Sequence, residues 1–137
     1  MLPIIRTEKV NRDFQSGREI VHALKDINIS IMPGTLTILR GRSGSGKTTL
    51  LNLLGALDKP TSGQIYFSDK EITSMSESAR DEIRRKNMGF VFQSVALISL
   101  MSAYENVEFG LRVAGYNPKE RKERAEECLA FVGLHKR

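Results

Sequence analysis

Cysteine is nearly absent: Cys128 is the only one in 137 residues. That excludes an intramolecular disulfide and a cysteine-rich metal cluster. Cys128 sits inside a helical pattern and is read as a small buried hydrophobe rather than a reactive thiol. The N-terminus lacks the basic start and sustained apolar stretch of a secretory leader, with charges arriving at Arg6, Glu8 and Lys9. No long apolar run is present either. Asn87–Tyr104 is uncharged and reaches the ~18-residue length of a membrane span. It carries Asn87, Gln93, Ser94, Ser99 and Ser102, however, so a soluble protein is the expectation. Aromatics make up only 7% of the chain, and few lie among the basic clusters Arg84-Arg85-Lys86 and Lys119–Arg124, where base stacking would need them. Glu120, Glu123, Glu126 and Glu127 interleave the second cluster. A solvated helix face is therefore the better reading, and no nucleic-acid partner is expected.

What is present is an ordinary globular composition, 40% hydrophobic and 27% charged, with a formal net charge of +5. The length suits about one domain. A basic surplus fits nucleic acid, anionic lipid or an anionic small ligand. No internal repeat or low-complexity stretch is visible.

The local patterns suggest an order of elements. Ile4–Val10 reads as an edge strand and Gln15-Ser16-Gly17-Arg18 as a turn. Ile20–Ala23 and the alternating Leu24–Ile31 read as strands, broken at Met32-Pro33-Gly34. Thr35–Leu39 is β-branched and apolar, as a buried strand would be. Thr48–Leu57 places Leu50, Leu51, Leu53, Leu54 and Leu57 on a wide apolar helical face. Gln64–Phe67 is a short strand, and Ser74–Lys86 a helix with Ser74 and Glu77 as a capping box. Met88–Gln93 does not alternate and reads as a strand buried on both faces. Ala103–Ala114 is helical. Asn117 and Pro118 then form a cap and first-turn proline for a helix over Pro118–Val132, striped by Ala125, Leu129 and Val132. Glu120 precedes Arg124 by four, the favourable ion-pair order. The fold class is α/β, with an N-terminal antiparallel β region and the beginning of a helical region.

One motif carries chemistry. Gly41-Arg42-Ser43-Gly44-Ser45-Gly46-Lys47-Thr48 matches the phosphate-loop pattern G-x-x-x-x-G-K-[ST] in full, between an expected strand and an expected helix. Gly41, Gly44 and Gly46 let the backbone turn tightly and approach phosphate. Successive N–H groups from about Gly44 to Thr48 form an anion nest, and the helix N-terminus adds partial positive charge. Ser43 and Ser45 belong to the same set of ligand-binding candidates. Lys47 supplies a full charge for the β- and γ-phosphates, the Thr48 hydroxyl is the Mg²⁺ ligand expected of the motif, and Thr49 is a candidate donor to the α-phosphate. The loop alone does not choose between kinases, GTPases and ATPases. The GTPase tetrad Asn-Lys-x-Asp is absent. A small kinase stays open, with Arg80, Arg84, Arg85 or the Arg121–Arg124 run as its lid.

Further segments resemble the ATPase subunits of ABC transporters: Val21-His22-Ala23-Leu24-Lys25-Asp26-Ile27, Met32-Pro33-Gly34, Leu57-Asp58-Lys59-Pro60-Thr61-Ser62-Gly63, Met88-Gly89-Phe90-Val91-Phe92-Gln93 and Ser102-Ala103-Tyr104-Glu105-Asn106-Val107. The resemblance runs from about Val10 to Leu134. Its closest flavour is the subgroup serving lipoprotein release, macrolide export and cell division. It implies a P-loop NTPase core over residues 1–93 and the start of a helical subdomain over 94–137. It implies ATP and Mg²⁺ as ligands. Phe14 stands where the family stacks an aromatic on adenine, with Val21 beside the base. Gln93 matches the glutamine that contacts Mg²⁺ and the attacking water, so Lys47 and Gln93 are the catalytic candidates and Thr48 and Gln93 the metal candidates. Implied partners are a membrane-spanning transporter subunit and a second ATP-binding subunit, on the cytoplasmic face of the cell membrane.

Two departures follow. Ile98-Ser99-Leu100-Met101 lacks the proline expected after the glutamine loop, where the family touches its membrane partner. The family's signature, its apolar strand ending in an aspartate and catalytic glutamate, and its switch histidine are not among these residues, so the fold is incomplete relative to the family. Asp81-Glu82 follows Ala79-Arg80, not an apolar run. The expectation is ATP binding without turnover, with Thr35–Leu39 left as an exposed apolar edge. The alternative is a stand-alone nucleotide-binding regulatory module.

Overall fold

The computed structural model describes residues 2–134. They fall into two compact units, Met1–Arg84 and Arg85–Arg137.

The first unit is built on an antiparallel sheet. Strands β1 (Ile5–Ser16), β2 (Glu19–Ile27), β3 (Ser30–Ile31), β4 (Ser62–Phe67) and β5 (Lys70–Glu71) run in the order β2-β1-β4-β5, with β3 also paired to β1. β1 is therefore a central strand rather than the edge strand its sequence suggests. Its loose alternation reflects changing neighbours: the N-terminal half pairs with β3 and β4, the C-terminal half with β2. Gly17, at φ 62, supplies the left-handed residue of the two-residue β1–β2 hairpin. The separate strands expected at Ile20–Ala23 and Leu24–Ile31 merge into β2 and then break before β3. Buried Thr7 holds that break: its hydroxyl donates to the Ile27 carbonyl at 2.9 Å and accepts from the Ile29 amide at 3.0 Å.

Helix α1 (Lys47–Leu54) presses Leu50, Leu53 and Leu54 onto Val10, Leu24 and Ile65 of the sheet. These positions are at most 7% exposed and form the core of the unit. Burying a leucine of this kind is worth about 1.5–3 kcal/mol. Past α1, two arginines hold the chain. Arg80 is only 3% exposed, and its Nη2 donates to the carbonyls of Ala56 at 2.7 Å and Asp58 at 2.6 Å. Arg84 also donates to the Ala56 carbonyl, and both arginines pair with Glu77. Both belong to α2 (Glu77–Asn87). The helix begins later than expected, because Ser76, not Ser74, accepts from the Ala79 amide at 3.3 Å. Glu77 thus stands at the first turn as an arginine partner, not as the closing residue of a capping box.

In the second unit, α3 (Ala103–Ala114) and α4 (Pro118–Phe131) match the expected helices closely. Both open on capping boxes, Ser102 with Glu105 and Asn117 with Glu120. Glu120 is used in its cap, so Arg124 pairs with Glu127 at 2.9 Å instead of with Glu120. Ala125 and Leu129 are buried, Cys128 is half-buried, and Arg121 meets Glu108 at 2.6 Å. Asn106 ties the preceding loop to α3 by bonding both the amide and the carbonyl of Ile98.

Two expected strands do not form. Thr35–Leu39 and Met88–Gln93 join no ladder among the described residues. An extended segment has no internal partner for its N–H and C=O groups and needs a neighbouring strand to form. None lies alongside either one here. Leu36 is 89% exposed and Val91 fully so. No helix among the described residues is long and apolar enough to cross a membrane.

Candidate functional site

The site lies in the first unit, where the loop 41–46 enters α1. Gly46 is the residue before the helix, at φ 86, in the left-handed region that favours glycine. A Cβ there would stand 2.6 Å from the Ala23 carbonyl oxygen and 3.0 Å from Leu24 Cδ2. Ala23 is a bulge residue: the ladder pairs Arg12 with Leu24 and Asp13 with His22 and skips it. So the loop closes directly on the irregular point of β2. At Gly41 a Cβ would meet Ser45 Oγ at 2.6 Å and approach the stem of Lys47. The glycines therefore clear the inside of the loop as well as its back.

Lys47 fills that inside. Its ammonium donates to the carbonyls of Gly41 at 2.8 Å and Arg42 at 2.7 Å, and to Ser45 Oγ at 3.3 Å. The turn is closed by the Ser45 amide donating to the Arg42 carbonyl at 3.2 Å. A full positive charge thus sits at the centre of the loop. The N-terminus of α1 has no side-chain cap and no acidic residue in its first turn. Its leading amides carry partial positive charge that no acidic side chain of the first turn meets. Ser43 and Thr48 are exposed, Thr49 is half-buried, and the Thr48 hydroxyl has no hydrogen-bond partner among the described residues. Ammonium, uncapped amides and a free hydroxyl together fit a polyphosphate with its divalent cation.

Phe14 and Val21 are opposed in the β1–β2 ladder and remain 41% and 49% exposed. Val21 lies two residues from Ala23, about 7 Å along the strand from the point where β2 meets Gly46. One flat apolar pair and one cationic loop thus share a single hairpin. Gln93 belongs to the second unit, exposed in the irregular segment before α3. Arg80 and Arg84, considered above as lid arginines, are committed to main-chain carbonyls and Glu77 and are not available as a lid. No group of acidic, histidine or cysteine side chains among the described residues forms a metal site of its own. Sequence reasoning did not find Arg12, which stacks on Phe14; only its spacing of two from Phe14 on one strand hinted at a shared face.

A glycine loop closed on a strand and opening an uncapped helix, beside an antiparallel β region, defines a P-loop protein of the mixed α/β class. The comparisons narrow this. The family pattern described as ABC transporter matches residues 24–137, and the chain belongs to that family. The lipoprotein-releasing system ATP-binding protein LolD of Idiomarina loihiensis is 41% identical over 134 residues, 98% of this chain and 59% of LolD. The macrolide export ATP-binding/permease protein MacB of Bartonella henselae is also 41% identical over 134 residues, 98% of this chain and 20% of MacB. An ATP-binding cassette of Methanocaldococcus jannaschii, solved as a dimer in a post-hydrolysis state with ADP and phosphate bound, aligns with a TM-score of 0.88 at 38% identity. That match covers 96% of this chain and 58% of the cassette. The chain therefore spans about three-fifths of the stand-alone relatives and a fifth of MacB.

Proposed function

We propose that this chain is the ATP- and Mg²⁺-binding portion of an ABC transporter's ATP-binding subunit, of the type represented by LolD and MacB. The observation that carries the reading is the Lys47 ammonium held inside the loop at the uncapped start of α1. The loop's own carbonyls satisfy that charge. A triphosphate offers charged acceptors in their place, so the ammonium exchanges carbonyl dipoles for full opposite charges.

The residues take the following roles. Backbone amides across Gly44–Thr48 receive the phosphate oxygens, within the span bounded by Gly41 and lined by Ser43 and Ser45. Lys47 holds the β- and γ-phosphates, and Thr49 donates to the α-phosphate. Phe14 stacks on the base with Val21 at its edge. Thr48 and Gln93 hold Mg²⁺, which when bound neutralises phosphate charge. Lys47 and Gln93 are the residues that polarise the reacting end. No apolar run ending in Asp-Glu occurs in these 137 residues, so none of them is offered as the general base. Pairing with a second ATP-binding subunit and with a membrane-spanning subunit, on the cytoplasmic face of the membrane, is the matching cellular role. The dimeric cassette and the permease-fused relative support it.

Titration calorimetry with ATP and Mg²⁺ tests the reading. Lys47→Ala should weaken binding about 10- to 100-fold, the worth of hydrogen bonds to a charged group. Equal affinity in the variant would end this account of the site.

A further inference from the structure

Phe14 is not held by the sheet alone. The Arg12 guanidinium lies over its ring, 4.5 Å from the centroid. The same guanidinium is gripped from its edge by Asp58, with Nε to Oδ2 at 2.8 Å and Nη2 to Oδ1 at 3.1 Å. Asp58 follows the phosphate-loop helix, and its carbonyl accepts from buried Arg80 at 2.6 Å. A continuous line of contacts therefore joins the exit of α1 to the Phe14 ring: Arg80, Asp58, Arg12, Phe14. A bidentate arginine–carboxylate pair fixes the guanidinium in place, and the guanidinium so held braces the ring it lies over. With one face of the ring covered, Phe14 as a residue still stays 41% exposed.

We propose that Arg12 is a positioning residue for nucleotide-base recognition: clamped by Asp58, it holds the Phe14 ring so that the uncovered face receives the base. The proposal rests on the reading of Phe14 as the base platform. It adds the device that sets the ring's orientation and couples it to the helix that follows the phosphate loop. A lysine at the same place keeps the charge but has neither the fork to engage both Asp58 oxygens nor the plane to stack. The base-dependent part of the affinity should therefore respond to Arg12, while the phosphate-dependent part should not.

The test compares binding of Mg-ATP and of magnesium inorganic triphosphate to the full chain, by calorimetry, for wild type, Arg12→Met, Arg12→Lys, Phe14→Ala and the double variant Arg12→Met/Phe14→Ala. Arg12→Met should bind ATP about two- to fivefold more weakly, the range of an exposed cation–π contact, with triphosphate binding unchanged. Arg12→Lys should fall between the two. In the Phe14→Ala background the Arg12 change should have no further effect on ATP. Unchanged or tighter ATP binding in Arg12→Met, equal loss for ATP and triphosphate, or fully additive losses would each overturn the proposal. If Phe14→Ala itself leaves the ATP-to-triphosphate ratio unaltered, the platform reading fails and takes this inference with it. Should circular dichroism show Arg12→Met to be unfolded, Asp58→Asn gives the same decision. It breaks the ion pair but keeps an acceptor for the Lys59 amide, which Asp58 now caps at 2.8 Å.

Discussion

Phe14 on β1 stands directly opposite Val21 on β2, and both side chains stay about half exposed in the hairpin that leads to the Gly46 contact. Directly opposed strand residues bring their Cβ atoms within about 5 Å, so the two form one continuous apolar surface. That surface is small and flat, and the Arg12 guanidinium lies over its ring, while the Asp13–His22 pair at 2.8 Å, one register position on, belongs to the opposite face of the hairpin.

If the surface receives a base, its effect is selective. Stacking of a base on an aromatic is worth about 1–3 kcal/mol. Phe14→Ala should then weaken ATP binding about 5- to 100-fold relative to wild type and leave inorganic triphosphate unaffected, whereas Phe14→Tyr should bind ATP as well as wild type. Competition binding with both ligands checks this, and a parallel loss for both would count against a base platform.

Gly46→Ala should damage the fold before it damages the chemistry. The new Cβ would meet the Ala23 carbonyl at 2.6 Å, in a backbone conformation at φ 86 that alanine adopts at a cost. Left-handed strain alone is worth about 1–2 kcal/mol, and the contact adds to it. A thermal melt should show a lower Tm, by several degrees. An unchanged melt would mean that β2 and the loop separate freely.

Arg80→Met should be among the most destabilising single changes in the first unit. The arginine is buried and donates to two carbonyls, those of Ala56 and Asp58. Methionine refills the volume of the stem but leaves those acceptors short of donors, at a cost of about 1–3 kcal/mol. Arg84 still reaches the Ala56 carbonyl, so the Asp58 carbonyl is the one left without its guanidinium. Urea denaturation should move the midpoint down without changing the slope. A midpoint equal to wild type would show that the two carbonyls are satisfied by water.

The start of α3 should respond to acid. The Ser102 amide donates to Glu105 at 2.7 Å, and this bond, with the serine hydroxyl's, holds the Glu105 carboxyl below its ordinary value of 4.5. A folded-state pKa below the unfolded one adds stability above the unfolded value. That stability is lost as pH falls through the folded value. The Ser102–Glu105 cap should therefore loosen below about pH 4.5, seen as faster amide exchange in the first turn of α3. Glu105→Gln should remove this pH dependence, since the amide keeps an acceptor but no titrating proton.

The parts legible in the sequence share one property: their cause is local. The phosphate loop is written in eight consecutive residues, and the left-handed φ of Gly44 and Gly46 was implied by glycine at those positions. The helix at Ala103–Ala114 and the Asn117-Pro118 start of α4 follow from caps and periodicity within one turn, and both formed as read. Local rules failed where two roles competed for one residue or two residues for one role. Glu120 suited both a cap and a pair with Arg124, and the cap took it; Ser74 suited a cap, and Ser76 supplied it. The apolar strands at Thr35–Leu39 and Met88–Gln93 failed for a deeper reason, since a strand's hydrogen bonds belong to its neighbour and no neighbour lies beside them.

The phosphate loop, the helix caps and the mixed α/β class are written in the residues themselves, because hydrogen bonds and backbone preferences within a few residues set each of them. That β1 is central, that the bulge at Ala23 meets Gly46, and that Asp58, 46 residues away, holds Arg12 over Phe14 emerges only once the chain is packed. Those relations join residues far apart along the chain, and folding around the α1 leucines is what brings them within reach of one another.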